Sequence, residues 1–404
     1  MMNVGVLIED YSPEMGGGYT IQADILQSFF ELAEESEYNF ILFLSGKKIP
    51  GYPHNPVSDK IRIISYSRLD KIEALLNRIR SDYPQFYKIW SKPCKLERMA
   101  LKDKIDIMWF ISPGLIDIDI PYITIVWDLQ HRLQPWFPEV SEKGIWDNRE
   151  RFYSRSLQKA TYIITGSEVG QKEIERFYQI PPERIKILPH PTPRYALNAP
   201  LLNDKSILEK YGIPKGYLFY PAQFWSHKNH ANLLKSAKIL RDKLGVILPV
   251  VFIGSDHGNL TYIKQLVRDL DLSPQVHFLG FVPQEDLISL YRQAFALTYV
   301  TFFGPENLPP LEAFALGCPV IASNVAGAEE QLGDAAILVD PKKPDEIALA
   351  IKSLYENSDL REGMIAKGFK RASQWTGKDF VRGIFSILEE FEPVRSCWSR
   401  AGSK

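Results

Sequence analysis

One stretch constrains this chain more than any other: Phe302 to Ser323, FFGPENLPPLEAFALGCPVIAS. It is punctuated at both ends of one short helix. Pro309 and Pro310 suit the first helical positions, where a missing N–H costs nothing and φ is already set. Gly317 suits the position just past the end, where glycine enters the left-handed region freely. CPVIAS then reads as a buried strand, short, apolar and bounded by turn residues. A loop therefore feeds a helix N-terminus, and the helix feeds a core strand. Loop amides and a helix dipole together suit an anionic ligand. Glu312 is predicted in the first turn of that helix, where its carboxylate can accept hydrogen bonds from a neutral diol. A phosphate loop beside a ribose carboxylate is what a nucleotide-diphosphate ligand needs. An ordinary capped α/β junction carries the same signature, because Glu early in a helix is favourable in its own right.

The rest of the chain repeats this grammar. Buried-strand runs are expected at residues 3–8, 40–44, 61–64, 105–110, 121–127, 162–165 and 185–188. A second series falls at 217–220, 249–254, 276–278 and 295–300. Helical patterns at 21–32, 168–178, 233–244 and 283–294 alternate with them. Strand, loop, helix in succession predicts α/β domains with parallel sheets. A chain of 404 residues exceeds one core, so two domains are expected. The proline-rich HPTPRYALNAP, residues 190–200, reads as the linker between them. The boundaries are set at 1–195 and 196–372. Residues 373–404 carry a helical run, FVRGIFSILEEF, and a tail.

A net charge of −1 argues against bulk nucleic-acid binding. Cys94, Cys318 and Cys397 have no ligand spacing and read as free thiols of an intracellular chain. No apolar run approaches the roughly 18 residues needed to span a bilayer, and no signal peptide is read before the first strand. The expectation is a soluble cytoplasmic protein. One segment adds a qualification. Residues 71–104 hold nine Lys/Arg against four acids, interleaved with Tyr83, Phe86, Tyr87 and Trp90. That mixture suits peripheral contact with an anionic membrane surface. It equally suits a solvated helix whose aromatics face a core.

Several side chains are placed for chemistry. Gly16, Gly17 and Gly18 follow the first strand and let backbone amides approach a ligand at a helix N-terminus. They do not form the GxGxxG fingerprint, so a nicotinamide reading is poor; a plain surface loop is the other reading. Asp128 and His131 lie just past the 121–127 strand, where open α/β sheets keep their ligand crevice. The aromatic, proline-bearing Arg132–Trp146 reads as a loop that covers this cleft. Lys228 precedes the 233–244 helix and is a natural counter-ion for a pyrophosphate.

In order and spacing, FGPENLPPLEAFALGCPVIASNVAGAEEQLGDAAILVDP (303–341), YPAQFWSHKN and the early GGG loop resemble the GT-B glycosyltransferases. Within them the chain resembles the retaining family numbered four, the glycosyl transferases group 1. The resemblance spans essentially the whole chain. It implies two Rossmann-like domains facing across a cleft, the acceptor on the first and a nucleotide-sugar donor mainly on the second. It implies transfer with retention and with neither metal nor cofactor. A hexose would pass from a nucleotide-diphosphate sugar, with GDP-mannose preferred, to a glycan or lipid-linked acceptor, as in surface polysaccharide assembly. Glu312 matches the glutamate that holds the donor ribose, Lys228 the residue that neutralises the pyrophosphate, and His131 a histidine near the donor sugar. Gly16 to Gly18 match the loop that closes over the diphosphate. Asn307 and Leu308 lie where loop amides meet sugar and phosphates, Phe281 and Val282 in the base-contacting loop, and Glu330 in the next loop.

Two departures stand out. The family places its first glutamate eight positions before the one that Glu312 matches, and Gly304 is there; Glu306 is two positions nearer. The arginine that normally precedes the lysine is His227, whose titration would make donor binding pH-dependent. A sugar phosphorylase, a nucleotide-sugar hydrolase or epimerase, and an inactive sugar-binding protein are the alternatives.

Overall fold

Parallel strands covered on both faces read as near-continuous apolar runs, as 40–44 and 162–165 do, while the edge runs at 61–64, 185–188 and 276–278 carry Arg62, Lys186 and His277. A computed structural model describes residues 2–46, 49, 59–65, 94–113, 118–200 and 206–398. Seven parallel strands form the first sheet: β1 (Asn3–Ile8), β2 (Asn39–Leu44), β3 (Ile61–Ser65), β4 (Ile107–Phe110), β5 (Tyr122–Ile125), β6 (Tyr162–Thr165) and β7 (Ile185–Ile187). Their order is β3-β2-β1-β4-β5-β6-β7. Six more form the second: β8 (Leu218–Pro221), β9 (Val250–Ile253), β10 (Val276–Phe278), β11 (Ala296–Tyr299), β12 (Val320–Ser323) and β13 (Ala336–Val339), in the order β10-β9-β8-β11-β12-β13. In each sheet the strand order reverses beside the first strand, so a crevice opens between β1 and β4 and between β8 and β11. Ligands of open α/β sheets bind at such switch points. The molecule is therefore two doubly wound domains.

The expected linker is not extended throughout, because Arg194–Leu197 forms one helical turn. The C-terminal helix, Gly377–Arg395, starts on a capping box between Thr376 and Asp379. It buries Phe380, Val381, Ile384, Ile387, Leu388 and Phe391, one face at helical spacing. These join the core of the first domain, beside Ile25 and Phe29 of the helix Gly17–Leu32. The last helix thus crosses back from the second domain to the first.

One expectation changes. Arg132–Trp146 is not a loop: it contains the end of the short helix Gln130–Leu133, the whole of the short helix Pro138–Ser141 and the start of Ile145–Lys159. Four-residue helices are too short to show periodicity, and Pro138 begins the second of them, where proline is favoured. The basic and aromatic stretch 71–104 lies largely outside the described residues; its end forms the helix Lys95–Lys102. Among the described residues no helix is long and apolar enough to cross a membrane.

Candidate active site

The C-terminal ends of the two sheets face each other across a cavity of about 540 Å³. Gly16 to Gly18, Lys228, Glu312, Phe281, Val282 and the loop from Phe303 to Leu308 all line it. The side chains reach it from separate elements, and each is held by local packing.

Lys228 ends a single 3-10 turn, Ser226–Lys228, after β8. Its Nζ donates to the Tyr299 hydroxyl at 2.9 Å and lies 5.3 Å from the centre of that ring. Tyr299 is the last residue of β11 and stacks on Tyr220, whose hydroxyl donates to the Lys228 carbonyl oxygen. Among the described residues no carboxylate pairs with Lys228, so its charge stays available to an anion. His227 beside it is engaged differently. Its backbone N–H donates to Glu139 Oε1 at 2.9 Å, and its ring Nδ1 meets the same oxygen. Burial pushes the His227 imidazole below its ordinary pKa, against the pull of Glu139. Glu139 belongs to the segment read as a covering loop. That segment also sends Gln134 Nε2 to the Phe302 carbonyl at 3.0 Å and lays Phe137 over Phe302 at 6.0 Å. It is a strap from the first domain onto the second.

Glu312 is the fifth residue of the helix Leu308–Ala315 and sits in its second turn rather than the expected first. The helix begins earlier than the prolines suggest, with Asn307 as its N-cap. The Glu312 carboxylate is buried, and Oε2 accepts from the Tyr291 hydroxyl at 2.7 Å. Burial raises its pKa, partly offset by the Tyr291 and nearby Tyr195 hydroxyls. An ionised carboxyl has about four lone-pair sites, so Tyr291 leaves it capacity to hold a diol.

At Gly304 the backbone φ is 135°, a conformation rare for residues with side chains. A Cβ there would also overlap the Asn307 amide group. A glutamate at this position would need a different loop, which accounts for its absence in physical terms. Glu306 lines the cavity wall, but its carboxylate turns away toward the first domain: Oε1 accepts from the His190 backbone N–H at 2.7 Å. Burial raises its pKa. Asn307 donates from Nδ2 to the Gly304 carbonyl at 2.9 Å and steadies the turn. Leu308 points out of its own domain and is buried in the core of the first, next to Gly17. Gly16 takes a φ of 73° just before Gly17 and Gly18 open the first helix. Phe281 is 58% exposed and Val282 buried.

Two expected residues are elsewhere. His131 is fully buried and does not line the cavity. Four residues separate the end of β5 from the helix Gln130–Leu133, and the imidazole is turned inward. There it meets the Tyr178 hydroxyl at 3.3 Å and Glu150 at 3.4 Å, and burial pushes its pKa down to about 4. The segment after β5 presents Trp127, Asp128 and Gln130 to the cavity instead. Glu330 is also off the cavity; its Oε1 accepts from the Glu168 backbone N–H at 2.7 Å. Sequence reading missed Tyr299, Tyr195 and His190, which line the cavity. Tyr299 had a signal, its place at the end of a parallel strand; the two linker residues had none.

Residues 204–371 match the family described as glycosyl transferases group 1. The second domain is a group 1 glycosyl transferase domain. The chain is similar to the O-antigen chain mannosyltransferase B of Escherichia coli, 29% identical over 245 residues, covering 59% of this chain and 63% of that one. The chain spans less than two thirds of the length of the curated relatives it matches first. Among solved structures, a glycosyltransferase from Rickettsia africae ESF-5 superposes with a TM-score of 0.69 at 16% identity, covering 97% of this chain and 98% of that one. HepE from Anabaena, in complex with UDP and glucose, superposes with a TM-score of 0.68 at 15% identity over 97% and 100%. The fold is GT-B, with the group 1 domain as its second half.

Proposed function

We propose that this protein is a retaining glycosyltransferase that moves a hexose from a nucleoside-diphosphate sugar to a glycan or lipid-linked acceptor. One observation carries the reading: Lys228, the glycine loop and Glu312 line one cavity between the two sheets. Breaking the glycosyl–phosphate bond builds positive charge on the sugar ring and negative charge on the departing diphosphate. Lys228 and the N–H groups of Gly16 to Gly18 oppose the negative charge, and Glu312 holds the ribose diol. The departing phosphate takes the proton of the incoming hydroxyl on the same face, so the configuration is retained. The counter-charge comes from the chain, and no metal or cofactor is required. Preorganised donors of this kind contribute about 10²–10³-fold each. Lys228→Ala is therefore expected to lower kcat by about 10²–10³-fold, while dialysis against EDTA leaves turnover unchanged. Both are read as nucleoside diphosphate released in the presence of acceptor.

For the donor we favour mannose carried on GDP, supported by the likeness to the Escherichia coli mannosyltransferase. A thermal-shift series with GDP-mannose, UDP-glucose and dTDP-glucose tests it. Saturating ligand stabilises by about 3–4 kcal/mol at 100–1,000 times Kd, so the true donor stands out. A larger shift with a uridine donor would reject the proposed base. A lipid-linked acceptor places the enzyme at an anionic surface. Sedimentation with anionic and neutral liposomes checks that, and equal binding to both removes the membrane contact.

A further inference from the structure

Glu306 and Glu330 have no role in the proposed transfer chemistry, and both reach out of the group 1 domain. Each carboxylate takes a backbone N–H of the first domain. Glu306 accepts from His190 at 2.7 Å, and Glu330 accepts from Glu168 at 2.7 Å. Glu168 is the first residue of the helix Glu168–Tyr178, so Glu330 meets an end that favours negative charge. The Glu306 side chain also lies against Gly166, two residues earlier. A Cβ built on Gly166 would overlap the Glu306 carboxylate, and no other group approaches that position so closely. Both acids therefore reach the 166–168 segment of the first domain, Glu306 from a loop and Glu330 from a short helix of the second.

That loop and that helix are tied together. Gln331, next to Glu330, accepts from the Asn307 N–H and donates to the Asn307 carbonyl, both at 3.0 Å. Asn307 is next to Glu306. A side-chain amide thus locks the loop bearing one acid to the helix Ala328–Leu332 bearing the other.

We propose that Glu306 and Glu330 form a two-pronged latch that closes the second domain onto the first and so positions the Gly304–Asn307 loop over the cavity. Gly166 is the keyhole, because glycine alone leaves room for the Glu306 carboxylate. These are positioning residues, and the part of the test that uses turnover rests on the transferase reading.

Amide hydrogen exchange and solution scattering without any substrate give the first readout. Glu306→Ala is expected to speed exchange at His190 and, across the latch, at Glu168, and to enlarge the radius of gyration. Glu306→Gln keeps an acceptor oxygen and is expected to retain most of the His190 protection. Gly166→Ala sits on the opposite domain and is expected to open the molecule as Glu306→Ala does. The pair Gly166→Ala with Glu306→Ala is expected to be no more open than either alone, since both remove one contact. In turnover, each opening variant is expected to raise the donor KM about tenfold with kcat little changed. Exchange at Glu168 that ignores Glu306→Ala, or additive opening in the double variant, would overturn the latch. So would a loss of turnover in Glu306→Ala with exchange and radius unchanged, which would make Glu306 a donor ligand. If wild-type protein turned over no donor, the transferase reading would fail while exchange and scattering still decided the latch.

Discussion

Glu312 shows how one burial decision sets a pH profile. Its carboxyl is raised by desolvation and held down by the Tyr291 hydroxyl. The ionised form is the one that accepts from a diol. Donor affinity is therefore expected to fall as pH drops through a value above the ordinary carboxylate range near 4.3. Removing the Tyr291 hydroxyl removes a stabiliser of the ionised form, so the acid limb of kcat/KM in Tyr291→Phe should move to higher pH. Glu312→Ala should lower kcat/KM by about 10–100-fold, the worth of hydrogen bonds to a charged group. His227 gives the opposite expectation. Burial keeps its imidazole neutral, with a folded pKa below the unfolded value. Donor affinity should then be flat above pH 6.5 in wild type, and His227→Gln should follow the same line. A step near neutrality present only in the wild type would restore the titrating role that the sequence suggested.

At the scale of elements, Asp24 on the helix Gly17–Leu32 tests how that helix is seated. It is buried against the linker, and its Oδ1 accepts from the Arg194 backbone N–H at 2.9 Å. Desolvation pushes its pKa up to about 6. A raised carboxyl costs stability above its folded pKa, and protonation relieves that cost. Two pH units correspond to about 3 kcal/mol. Asp24→Asn keeps an acceptor for Arg194, so it should stabilise at pH 8. The gain should shrink from pH 6 downward and vanish near pH 4, as urea midpoints would record. The strands were legible because buried parallel strands are continuous apolar runs: NVGVLI and YIIT needed nothing else. The strap was not. Gln130–Leu133 and Pro138–Ser141 are too short for a period, and only tertiary contacts such as Phe137 on Phe302 mark them as ordered. The same short helix explains His131. Its position after a strand was readable, but the turn that swings it from the cavity was not. Lys228, Glu312 and the glycine loop were legible because each sits at a strand-to-helix junction. The partnership of Glu306 with Gly166, in a different domain, leaves no local signal at all.

For the whole molecule, the question is whether the domains are independent. Their cores are not equivalent in this respect. The core of the second domain runs from Ala196 to Ala372 and takes nothing from the last helix. The core of the first takes Phe380, Val381, Ile384, Ile387, Leu388 and Phe391 from that helix, and Leu308 from the group 1 domain. Fully burying a large apolar side chain stabilises by about 1.5–3 kcal/mol. Six such side chains, about 9–18 kcal/mol, are comparable with the roughly 5–15 kcal/mol that separates folded from unfolded domains. A chain ending at residue 372 should therefore keep a folded group 1 domain beside an unfolded or aggregating first domain. Limited proteolysis should leave a resistant fragment beginning near the 190–200 linker and digest everything before it. Equal resistance of both halves would mean that the first sheet closes its own core without the crossing helix. Loss of both would mean that the second domain depends on the first, despite a core that contains none of its residues.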